Sequence, residues 1–66
     1  MQLIINGAIR TVEDALTLKR LLEDHLGATR GSAAAVDGEV VPRGDWQAYV
    51  LSDGQHIELL TAVQGG

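Results

Sequence analysis

The chain closes with Val63-Gln64-Gly65-Gly66, and this is the stretch where residue type and position most suggest chemistry. A C-terminal carboxylate is a poor electrophile until something activates it. Glycine carries no Cβ, so Gly65 and Gly66 could enter a slot too narrow for any side chain, and the terminal carbonyl carbon stays unshielded. Four extended residues reach roughly 13 Å beyond a fold. The pattern suits a carboxylate handed into another protein's active site. On these residues alone, a frayed and meaningless end explains the two glycines as well.

Other reactive side chains are sparse. The sequence has no cysteine and two histidines. Without cysteine there is neither a disulfide staple nor a thiolate metal site. His25 sits in a helical apolar stripe near its C-terminal end, where a half-buried histidine suits the helix dipole better than a ligand or base role. His56 opens a strand with no acid partner in view and reads as solvent-facing. The pairs Glu13/Asp14 and Glu23/Asp24 have no nucleophile or base at useful spacing and read as a solvated face. Gly7, Gly38 and Gly54 stand at isolated turns, not in a run that cradles phosphate. The expectation is therefore a chain with no catalytic residues, no metal site and no bound cofactor.

Composition narrows the class further. Sixty-six residues make one domain,. A domain this small buries only about 60% of its unfolded surface, so its core is marginal. That core must come from aliphatic side chains, since phenylalanine is absent and Trp46 and Tyr49 are the aromatics. The formal net charge of −4 argues against a nucleic-acid binder, which needs a basic footprint, and is compatible with a partner that presents a basic surface,. Neither a signal peptide nor a membrane span is legible, so a cytoplasmic protein is expected.

The elements that must position the tail follow from local signals. Gln2 to Ile5 and Ala8 to Val12 flank Asn6-Gly7, the strongest two-residue hairpin signal, because a type I′ turn needs positive φ at both central residues. Thr17 is the expected N-cap of a helix. Leu18, Leu21, Leu22, His25 and Leu26 recur at the spacing of one buried stripe, with Lys19, Arg20, Glu23 and Asp24 opposite. Lys19–Glu23 and Arg20–Asp24 are i, i+4 pairs, and Gly27 ends the helix in a left-handed cap. Ala33 to Val36 and Glu39 to Val41 flank Asp37-Gly38, a second hairpin signal, and Pro42 stops that strand. Arg43 to Trp46 reads as a single helical turn that returns Trp46 to the core. Gln47 to Leu51 is ambiguous between strand and loop, Ser52 to Gln55 is a turn, and His56 to Val63 is the last strand. Ile57, Leu59 and Thr61 should share one face of it, and Glu58, Leu60 and Ala62 the other.

One sheet layer with one helix on one face satisfies every element. The fold expected is α+β, a β-grasp (ubiquitin-like) arrangement, with a mixed sheet of four to five strands. Its first and last strands lie parallel at the sheet centre. Residues 1–62 form the domain and residues 63–66 a flexible tail. If Leu3, Ile5, Ile57 and Leu59 face the helix, then Ile4, Leu60 and Ala62 face solvent beside the root of the tail. They form a candidate docking patch.

These features together resemble the ThiS family of thiamine-pathway sulfur carriers, across essentially the whole chain. The marks are Asn6-Gly7, Leu21-Leu22, Val36-Asp37-Gly38-Glu39-Val40-Val41-Pro42-Arg43 with Trp46, Asp53-Gly54, Ile57-Glu58 and Gly65-Gly66. Asp37 stands where Asn is common and Gln55 where an acid is common; both are turn positions. The resemblance implies that a ThiF-like adenylyltransferase uses ATP to convert the Gly66 carboxylate to an acyl-adenylate. A persulfide from a donor such as a cysteine desulfurase or rhodanese then yields a thiocarboxylate. A ThiG-like thiazole synthase consumes it. The chain is then a co-substrate, with Val63, Gln64, Gly65 and Gly66 entering partner active sites. A molybdopterin-pathway carrier and a ubiquitin-like modifier joined to lysines share the fold and tail and stand as alternatives.

Overall fold

The computed structural model describes residues 1–27 and 30–61. The chain forms β1 (Gln2–Ile5), β2 (Ala8–Thr11), α1 (Leu18–Leu26), β3 (Ser32–Val36), β4 (Glu39–Val40), a 3₁₀ turn (Arg43–Asp45) and β5 (His56–Thr61). The sheet order is β2-β1-β5-β3-β4. β5 runs parallel to β1 and antiparallel to β3, and each hairpin is antiparallel. With α1 on one face this is the expected β-grasp.

Both hairpins turn on the residues that demand it. Asn6 and Gly7 have φ of 50° and 85°, and Asp37 and Gly38 have 49° and 87°. Asn and Asp tolerate this left-handed region better than other side chains, and glycine enters it freely. β4 is shorter than its sequence suggests. Its assigned residues end at Val40, although the Val41 N–H donates to the Ala34 carbonyl at 2.9 Å as one further rung of the hairpin, with Val41 buried opposite Ala34.

The helix begins and ends as its sequence dictates. The Thr17 hydroxyl accepts from the Arg20 N–H, and Gly27, at φ 77°, donates back to the Glu23 carbonyl. Leu18, Leu21 and Leu22 are buried and meet Leu3 and Ile5 of β1, Ala34 and Val36 of β3, and Ile57 and Leu59 of β5. Each fully buried aliphatic of this kind contributes about 1.5–3 kcal/mol over its exposed state. The stripe ends sooner than its spacing implies: Leu26 is half-buried, and His25 is exposed rather than half-buried. Of the two i, i+4 ion pairs, Arg20–Asp24 closes at 3.2 Å.

The ambiguous segment from Gln47 to Leu51 caps the helix from outside. The first N–H groups of a helix have no partner within it. Here Leu18 donates to the Tyr49 carbonyl at 2.9 Å and Lys19 to the Trp46 carbonyl at 3.2 Å. Thr17 and Val50 form an isolated antiparallel bridge, and Leu51 donates to the Leu16 carbonyl. Ala15 takes the sharp corner before the helix with φ 61°, a conformation that strains a side-chain-bearing residue,.

Trp46 anchors this half of the core. It is 3% exposed, its indole N–H donates to the Val41 carbonyl at 2.8 Å, and the Arg43 guanidinium lies 4.9 Å from its ring centroid. Truncation of a buried Trp costs about 3–5 kcal/mol, comparable to the whole stability of a domain this size. Trp46→Ala should therefore lose its cooperative thermal transition. Trp46→Phe, which keeps an aromatic ring but deletes the hydrogen bond to Val41, should keep the transition at a midpoint below wild type. A wild-type melt for Trp46→Ala would contradict the anchoring role.

Candidate functional site

The site is built on β5, whose alternation sends its side chains to opposite faces. Ile57 and Leu59 are buried beneath the helix, while His56, Glu58 and Leu60 face away from it. Thr61 keeps the same register parity as Ile57 and Leu59, opposite Ser32, and is exposed at the last described position of the strand. β5 lies between β1 and β3: β3 pairs with it from Ile57 to Thr61, whereas the β1 strand pairs only with His56 and Ile57. Its C-terminal end, the base of the tail, is held by β3 as far as Thr61. Ala62, Val63, Gln64, Gly65 and Gly66 lie outside the described residues.

Register decides what surrounds that base. Leu60 is 66% exposed and pairs with Ala33. With Ala35, Val40 and Glu58 these residues line a shallow groove of about 230 Å³ on the helix-free face. Ile4 is half-buried and elsewhere: its cross-strand partners are Ile9 and His56. His56 lies four residues before Leu60, about 13 Å along a strand. The register therefore does not bring Ile4 and Leu60 together. The apolar surface beside Leu60 comes from β3 and β4, supplied by Ala33, Ala35 and Val40. Alternation within the Ala33–Val36 run carries that signal once β3 is known to pair with β5.

The remaining polar candidates are dispersed. The Asp24 carboxylate is engaged by Arg20, and that of Asp14 by the N-terminal ammonium at 3.1 Å. A second cavity, of about 290 Å³, opens between β2 and α1 on the opposite side of the sheet, with Arg10, Glu13, Asp24 and His25 at its rim. Among the described residues, no group of three or more His, Asp or Glu could hold a metal ion. Nor is any described helix long and apolar enough to cross a membrane.

One polar residue is bound tightly to the site. The Asn6 side-chain Nδ2 donates to the Leu59 carbonyl at 3.2 Å, and its Oδ1 accepts from the Leu59 N–H at 2.9 Å. On the other edge of β5, the Asp37 carboxylate accepts from the His56 N–H at 2.9 Å. Sequence reasoning valued both residues for their turns alone.

The sheet order, the parallel central pair and the single helix define a small ubiquitin-like β-grasp domain with its last strand at the centre. A family model described as the ThiS family matches residues 3–66. Sulfur carrier protein ThiS of Escherichia coli is 30% identical over 66 residues, covering 100% of both chains. The crystal structure of a thiamine biosynthesis protein (ThiS) from Geobacter metallireducens superposes with a TM-score of 0.80 at 32% identity, covering 100% of both chains. A solution structure of a thiamine biosynthesis protein from the same organism also gives 0.80, at 31% identity, covering 100% of this chain and 88% of that one. The chain belongs to the ThiS family.

The two faces of β5 make a direct test of this register. Leu60→Glu puts a charge on an exposed position, where substitutions usually change stability by no more than about 0.5 kcal/mol. Leu59→Glu buries an unpaired carboxylate in a site that is 4% exposed,. Circular-dichroism melts should show a near-native midpoint for the first variant and no folded baseline for the second. The reverse result would mean the strand is turned over.

Proposed function

We propose that this chain is a sulfur carrier of thiamine biosynthesis and that its reacting group is the C-terminal carboxylate of Gly66. The observation that carries the reading is the full-length match to the ThiS family, in sequence and in fold. The central position of β5, the last strand before the Gly-Gly end in sequence, supports it.

The chemistry follows from the carboxylate. A free α-carboxylate is anionic at neutral pH and resists nucleophiles. A ThiF-like partner supplies ATP; the Gly66 carboxylate oxygen attacks its α-phosphate, and pyrophosphate leaves. In the acyl-adenylate the carbonyl carbon is electrophilic and AMP is a good leaving group. A persulfide sulfur attacks that carbon and displaces AMP. Cleavage of the S–S bond by a thiol then leaves a thiocarboxylate on Gly66, with the other sulfur carried off in a disulfide. A ThiG-like synthase takes the sulfur into the thiazole ring. The chain is a co-substrate throughout, and the partner enzymes supply the catalytic groups. The docking surface we assign to the groove around Leu60, Ala33, Ala35 and Val40, with Ile4 as a separate outlying contact.

The position of the carboxylate is the decisive test. One residue added after Gly66 moves it by up to about 3.6 Å, and a misplacement of about 1 Å can cost on the order of 100-fold in rate. ATP–pyrophosphate exchange with the adenylyltransferase should nearly vanish for the extended chain and for the chain lacking Gly66. Gly66→Ala should lose activity partially, since it keeps the length but adds a methyl beside the reacting carbon. Thermal midpoints should be unchanged in all three. Wild-type exchange by the extended chain would sink the carrier reading. Leu60→Glu should weaken binding to the adenylyltransferase without lowering the melting temperature; unaltered affinity would move the docking surface elsewhere.

A further inference from the structure

The hydrogen bonds of Asn6 follow a pattern that a turn residue alone does not need. Odd-numbered residues of β5, and Gln55 just before it, direct their backbone groups toward β1: the Ile4 N–H donates to the Gln55 carbonyl at 3.0 Å, and the Asn6 N–H to the Ile57 carbonyl at 2.9 Å. In a continuing parallel ladder, residue 6 would next accept from the Leu59 N–H through its own carbonyl, and residue 8 would donate to the Leu59 carbonyl. Neither can happen here. Asn6 is in the left-handed region at φ 50°, and Ala8 has already entered β2. The Asn6 side chain supplies both missing rungs, Oδ1 in place of its own carbonyl and Nδ2 in place of the absent N–H. The amide thus lengthens β1 by one step without lengthening its backbone. It does so two residues before the last described residue of β5.

The other hairpin shows why the two turn residues differ. Asp37 is likewise left-handed, at φ 49°. Its N–H already donates to the His56 carbonyl at 2.8 Å, so only the His56 N–H needs a partner, and a carboxylate can accept it. At position 6 both a donor and an acceptor are needed. A carboxylate has no hydrogen to give, and an amide has both.

We propose that Asn6 is a positioning residue for the reaction at Gly66, acting through the backbone of Leu59. This rests on the carrier reading above. On the β1 side, Asn6 is the partner of both Leu59 backbone groups, and it holds the end of β5 in line with the strand. The approach of Gly66 to the α-phosphate depends on where Leu59–Thr61 point. Docking depends on Leu60 and its neighbours across β3, which Asn6 does not touch. Loss of the amide should therefore lower kcat for adenylation and leave KM nearly unchanged.

The test uses full-length chains with amide hydrogen exchange by NMR on the free protein, alongside ATP–pyrophosphate exchange. Asn6→Gly keeps a residue suited to positive φ and removes the clamp. Exchange at the Leu59 amide should rise roughly tenfold, the weight of about one net hydrogen bond, while the Glu58 and Leu60 amides stay protected by β3. The kcat should fall by about tenfold with KM within about twofold, given the steep cost of sub-ångström misplacement. Asn6→Asp keeps the acceptor and loses the donor. Its Leu59 amide should remain protected, yet kcat should fall. Asp37→Asn keeps the only contact needed there, and His56 exchange should match wild type. The proposal is overturned if Leu59 exchange in Asn6→Gly matches wild type. It is equally overturned if Leu59 loosens while kcat holds, or if KM and kcat change together with a general rise in exchange across the sheet. A wild-type chain inactive with its adenylyltransferase would overturn the carrier reading and this role with it. Wild-type activity with an unaltered Asn6→Gly kcat would overturn this role alone.

Discussion

The structure depends on the double pairing of β5. A strand of six residues contributes little by itself, but here one edge is held by β1 and the other by β3, while Ile57 and Leu59 seal the helix side. Every other element has a place because of this strand. α1 covers its buried face, and the two hairpins supply its neighbours. The segment around Trp46 to Leu51 holds the start of α1 by offering carbonyls to N–H groups that would otherwise lack partners. In a marginal core, no element can be lost without exposing the next.

The hairpin turns serve this strand as well as their own hairpins. A type I′ turn needs positive φ at its first central residue, which favours Asn or Asp. The same conformation swings the residue's carbonyl out of the ladder with the neighbouring strand. A side chain with an oxygen three bonds from Cα, as in Asn or Asp, can replace it. Both requirements fall on one residue type, so a local backbone preference and a contact 53 residues away are met by Asn6 together. Such agreement between local and distant demands is what allows a short sequence to specify one arrangement.

Much of this was legible because the signals are local. Asn6-Gly7, Asp37-Gly38, Thr17 and Gly27 each state their backbone geometry within two or three residues, and the leucines of α1 state theirs by spacing. The burial of Trp46 followed from its being the largest apolar side chain in a core short of mass. The failures were non-local. The acceptors at Trp46 and Tyr49 are defined only by the helix they meet. The separation of Ile4 from Leu60 depends on a parallel register between the two ends of the chain, which alternation on either strand cannot reveal. His25 fits the helical period but lies beyond the area the sheet covers. Gly65 and Gly66 raise a chemical expectation through the side chains they lack, and they lie outside the described residues.

The central place of β5 also governs how the molecule bears a load. A pull applied to Thr61 along the axis of this strand would meet the sheet lengthwise. The rungs to β1 and β3 lie across that axis, so the pull reaches them as shear, and they share it at once. Were the same strand at the edge of the sheet and peeled sideways, the rungs would break in succession. A central last strand thus resists a lengthwise load better than an edge strand of the same length would.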